Sequence, residues 1–93
     1  MSTAFITHRD CHLHDMGSYH PECPARLSAI TDFMIAQGVD SYFLYHEAPL
    51  ATLQQLRRVH SASHLERLKR VAPELGIVHL DPDTAMNRHT WQA

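Results

Sequence analysis

Nine of the 93 residues are histidines, and the first loop crowds together the side-chain types that ligate metals or move protons: His8, Asp10, Cys11, His12, His14, Asp15 and His20. Imidazole, thiolate and carboxylate are all competent zinc donors, and Asp10-Cys11-His12 has the Asp-x-His form found among zinc ligands. Asp10, His12 and His14 are therefore the candidate metal residues. Geometry argues against them. No pair in this loop sits on a helix at i, i+4 spacing or has the Cys-x-x-Cys form, and a loop must give up conformational entropy to assemble a site. The expectation is that the loop holds no dedicated metal ion. Cys11 and Cys23 are candidate nucleophiles only if a base and an orienting third group lie beside them, which their spacing does not supply. With only Gly17, Gly38 and Gly76, the chain has no glycine-rich phosphate loop. The histidines could make stability sensitive to pH, since imidazole titrates near neutrality.

A chain of this length is one domain at most, spanning residues 1–93, and 44% apolar with 19% charged residues is the composition of a globular protein. The net charge of −2 and a single basic concentration, Arg57, Arg58, Arg67, Lys69 and Arg70, exclude a nucleic-acid footprint. No apolar stretch approaches the roughly 20 residues of a membrane span, and the start lacks the features of a signal peptide. The default expectation is a cytoplasmic protein with two free thiols.

Phe5 and Ile6, flanked by threonines, read as a short strand, and His8 to Glu22 reads as a long loop. Pro24 suits the first turn of a helix in which Leu27, Ile30, Phe33 and Met34 recur at helical spacing until Gly38 stops it. Tyr42-Phe43-Leu44-Tyr45 is too short for periodicity to separate strand from buried connection. Thr52 and Gln55 have capping-box spacing ahead of a helix ending near His60, and Ser63 with Glu66 repeats that spacing ahead of another, buried through Leu65, Leu68 and Val71. Ile77 to Leu80 reads as a strand running into the turn Asp81-Pro82-Asp83. Strand, helices, strand is the order of a crossover, so the fold class is α/β, about three helices over two short parallel strands. Two parallel strands leave edges open and the core is small, so self-association, a dimer first, is the expectation.

The stretch from His8 to Leu27, with the core His20-Pro21-Glu22-Cys23-Pro24-Ala25-Arg26-Leu27, resembles the opening of bacterial histone deacetylase-like proteins, among them acetoin-utilisation and polyamine deacetylase relatives. His46 to Ala51, Val59-His60-Ser61 and His79 to Thr84 resemble the same family in the same order, and Thr90-Trp91-Gln92 resembles the start of its next helix. The resemblance implies a partial arginase-deacetylase fold, with Phe5-Ile6 and Ile77-Leu80 as its first two strands. It further implies zinc-dependent deacetylation in the full-length family. The tandem His-His pair, the zinc-holding Asp-x-His with a second Asp, and the Tyr of that chemistry find no match in this sequence, so the chain is expected to be no enzyme by itself and to hold no cofactor. By the same resemblance His20, Pro21, Glu22 and Asp83 belong to a substrate rim. The expectation is a catalytically incomplete, self-associating module. Alternatives are a fragment that complements the rest of a zinc-dependent deacetylase, and a hydrolase built on the histidine-rich loop.

Overall fold

The computed structural model describes residues 2–93. Its first sheet pairs β1 (Thr3–Thr7) with β2 (Phe43–Glu47) in parallel, Phe5 opposite Tyr45 and Ile6 opposite His46. The crossover between them is α1 (Ala25–Ala36), entered from Pro24 and left through Gly38, whose φ of 71° closes the helix in the left-handed region. This pairing corrects one expectation and settles an open one. The partner of Phe5-Ile6 is not Ile77–Leu80 but the aromatic run that periodicity left undecided. Alternation explains the choice. Phe5, Phe43 and Tyr45 fall on one face, with ring centroids 5.3 to 6.5 Å apart, so the two strands interlock through aromatic side chains.

Ile77–Leu80 instead leads to a hairpin: β3 (Val78–Asp81) pairs antiparallel with β4 (Thr84–Met86). The Asp-Pro-Asp turn permits this, because the Asp83 backbone N–H donates to Asp81 Oδ1 at 2.8 Å and folds the chain straight back. Thr84 to Met86, which the sequence reading assigned to no element, is thus a strand, and Ala85 and Met86 are buried.

Two helices lie between β2 and β3 in the chain. In α2 (Leu53–Leu56) the capping box forms: the Gln55 N–H donates to Thr52 Oγ1 at 3.1 Å and the Thr52 N–H to Gln55 Oε1 at 2.9 Å. This helix is shorter than the sequence suggested, and tight turns carry the chain from Leu56 to His60. For α3 (Ala62–Val71) the cap is Ser61, which accepts the His64 N–H at 3.2 Å, not Ser63. Ser61 has the extended backbone that a cap requires, whereas Ser63 lies inside the first turn.

The core is small. Met16, Leu65, Ala85 and Met86 are the buried apolar residues, and with Leu68, Leu80 and Trp91 they line a cavity of about 360 Å³. Among the described residues no helix is long and apolar enough to cross a membrane. The radius of gyration, 15.6 Å, exceeds the roughly 12 Å of a compact chain of this length.

Candidate functional site

Four rim residues were anticipated, and two of them meet across 63 positions of sequence. His20 Nε2 lies 3.1 Å from Asp83 Oδ1 and 3.0 Å from the Asp83 carbonyl oxygen. On the other side of the ring, Nδ1 accepts the Glu22 backbone N–H at 3.0 Å. An imidazole that accepts at Nδ1 carries its proton on Nε2, so His20 donates toward Asp83 and its tautomer follows from the loop backbone. Pro21 sits inside this backbone loop. The Glu22 carboxylate turns away and pairs with Arg26 one helical turn on, an exposed pair of small energetic weight.

The Asp83 carboxylate is almost fully exposed, while His20 is largely covered. An exposed carboxylate held at its base by a histidine can accept an N–H from a ligand without moving. Its neighbour Asp81 supports the turn, and the Asp83 N–H with help from Thr84 holds the Asp81 carboxyl below the usual carboxylate range. Approach to His20 runs through Gly17-Ser18-Tyr19-His20, closed by a 3.4 Å backbone hydrogen bond from His20 N–H to Gly17 O. Tyr19 occupies φ 68° there and projects its ring fully into solvent. A bulky residue in the left-handed region costs about 1 kcal/mol or more and marks a place to look for function. Sequence reasoning passed over Tyr19. Its only signal was the position between Ser18 and His20, where a turn needs φ above zero.

The metal candidates do not converge. Among the described residues no three His, Cys, Asp or Glu side chains are placed to hold one ion, so the donors of this chain do not fit a catalytic zinc. Instead they organise the loop. His8 Nδ1 accepts the Asp10 N–H at 3.1 Å and caps a 3₁₀ turn (Arg9–His12), while His8 Nε2 lies 3.2 Å from Glu47 at the end of β2. Asp10 is 3.4 Å from the same His8 ring, and His12 ends the turn. His14 Nδ1 is 2.7 Å from the Thr90 hydroxyl, and Asn87 Nδ2 donates to Leu13 O at 2.8 Å. These bonds tie the first loop to the segment after β4. Cys11 and Cys23 are free thiols.

The histone deacetylase domain family matches residues 20–93, the stretch that contains the rim, both helices of the middle region and the hairpin. The chain belongs to this family. It is 33% identical over 81 residues to the uncharacterized protein slr0245 of Synechocystis sp., an alignment covering 84% of this chain and 26% of that protein. A solved structure, the crystal structure of the HDA15 HD domain, superposes with a TM-score of 0.83 at 28% identity, covering all of this chain and 28% of its own. The chain thus spans about a quarter of the length of these relatives.

Proposed function

We propose that this chain acts as the sheet-and-rim portion of a deacetylase-like domain, presenting His20 and Asp83 at the mouth of an acyl-amide pocket while groups outside the chain break the bond. One observation carries the reading. The chain exposes 7324 Å², whereas a folded protein of 10.6 kDa exposes about 5,500 Å². The excess of about 1,900 Å² is more than twice the roughly 800 Å² that one partner contributes to a standard interface. Much of it is apolar, as Ile6, Ile30, Phe33, Leu44 and Tyr45 are each at least 49% exposed. Side chains of this kind belong against the remaining layers of a larger domain.

In this reading the exposed Asp83 carboxylate accepts a backbone N–H of the substrate, and His20 is a positioning residue that holds the carboxylate in place. Pro21 and Glu22 shape the loop that delivers His20. Zinc, which the family resemblance implies, would polarise the scissile carbonyl from ligands beyond this chain. The free thiols support a cytoplasmic site of action.

The test is hydrolysis of an acetyl-lysine reporter by the 93-residue chain with added zinc. No turnover above a heat-denatured control is expected. Turnover that H20A or D83A abolishes would overturn the division of labour.

A second reading, a homodimer, is favoured by the open edges of the two-stranded β1–β2 sheet, each a row of unpaired backbone groups. Sedimentation of the isolated chain tests it, a single monomeric boundary at tens of micromolar being the result that removes it.

A further inference from the structure

His60 and His64 lie outside the rim and outside the histidine-rich first loop, and their imidazoles are neighbours, with centroids 5.4 Å apart and planes inclined by 35°. Both backbones are held. His60 ends the turns after α2, its N–H donating to Leu56 O at 3.0 Å, and the His64 N–H is bound by the Ser61 hydroxyl that starts α3. The hydrogen bonds of this segment run through backbone groups and the hydroxyls of Ser61 and Ser63, which leaves the ring nitrogens available. His60 is exposed and His64 half-buried, so small ring rotations cost little and water can reach the space between them.

That spacing has chemical meaning. With metal–nitrogen bonds of about 2.0–2.1 Å, each ring centre sits about 3.2 Å from a shared ion, so a tetrahedral angle puts the two centres about 5.2 Å apart and the square angle that Cu(II) prefers about 4.5 Å. The observed 5.4 Å is within a few tenths of an ångström of the first and about 0.9 Å beyond the second, a gap that rotation of the two rings closes. We propose that His60 and His64 form a two-imidazole chelate for a divalent transition-metal ion, Cu(II) ahead of Ni(II) and Zn(II), with water filling the other positions. The order follows the general affinity series for nitrogen donors. No third protein donor joins the pair among the described residues, so the site is an exchangeable clip across the α2–α3 turn and not a buried structural zinc. Arg57, Arg58 and Arg67 flank it in sequence and weaken its hold on any cation. The inference is independent of the deacetylase reading, because neither residue belongs to the rim.

Substoichiometric Cu(II) added to the 93-residue chain tests the site without any substitution. Paramagnetic broadening of imidazole proton resonances should begin at His60 and His64; broadening that begins in the His8–His14 loop overturns the proposal. Calorimetric titration of H60A, H64A and, as a control on exposed β3, H79A gives a second reading. A loss of tenfold or more in Cu(II) affinity is expected for the first two and none for the third. Equal losses in all three, or none in H60A and H64A, would show adventitious binding and remove the site. Circular dichroism checks each variant, and unchanged helix content is expected of all three.

Discussion

The two longer helices of this chain carry opposite kinds of surface. Around α1 the apolar residues, Leu27, Ala29, Ile30, Phe33, Met34 and Ile35, occupy most of the circumference, and yet none of them is buried. On α3 the apolar residues keep to one stripe, Leu65, Leu68 and Val71, with Glu66, Arg67, Lys69 and Arg70 turned outward, and Leu65 is buried against the hairpin side of the core. A helix apolar all round is built for an interior, whereas an amphipathic one is built for a surface. The lesson is that α3 covers part of its apolar stripe within this chain, whereas α1 leaves its apolar surface largely open. Its main neighbour is the 3₁₀ turn Asp40–Tyr42 that follows it.

Four measurements can break or sharpen that contrast. Leu65→Ala removes a side chain only 5% exposed and should cost about 2–3 kcal/mol in denaturant unfolding, the lower part of the range for a buried leucine because the surrounding core is small. A cost below about 1 kcal/mol would mean that the α3 side has no real core. Smaller is Ser61→Ala, at about 1 kcal/mol for a lost helix cap, against less than about 0.5 kcal/mol for Ser63→Ala. Reversal of that order would move the start of α3. On α1, Phe33→Asp changes a ring 65% exposed, so the unfolding free energy of the isolated chain should shift by less than about 0.5 kcal/mol. Its self-association or its capture of apolar dyes should fall clearly, and a large stability loss would show α1 already packed. The smallest effect concerns the hairpin turn. Because the folded-state pKa of Asp81 is lowered, its contribution is present above the ordinary value near 3.8 and is lost as pH falls through the folded value. Asp81→Asn should flatten the acid limb of a stability–pH curve below 3.8 and leave the neutral region nearly unchanged.

Legibility followed the range of the forces involved. Local signals read true: the Thr52–Gln55 box, Pro24 and Gly38 around α1, and the Asp81-Pro82-Asp83 turn all depend on neighbours within four residues. The Ser61 cap was misread as Ser63 because two serines two residues apart offer the same hydroxyl, and only backbone dihedrals choose between them. At the candidate site, the residue types His20 and Asp83 were visible, and the resemblance singled them out. Their contact, and the strained Tyr19 beside it, were not visible, since a hydrogen bond between residues 63 apart has no local trace.

By itself the sequence determined where α1, α2 and α3 lie and which family's pattern they follow, because hydrophobic spacing and turn residues act over a few bonds, whereas the end of α2 and the cap of α3 waited on the backbone itself. Strand partners were decided only in three dimensions. Phe5-Ile6 could pair with either later apolar run, and the choice rested on how Phe5, Phe43 and Tyr45 interlock across the sheet. The fate of the histidines was decided at the same level. His8, His14 and His20 were drawn into caps and loop ties, while His60 and His64, held by two successive backbone elements, were left with their rings adjacent.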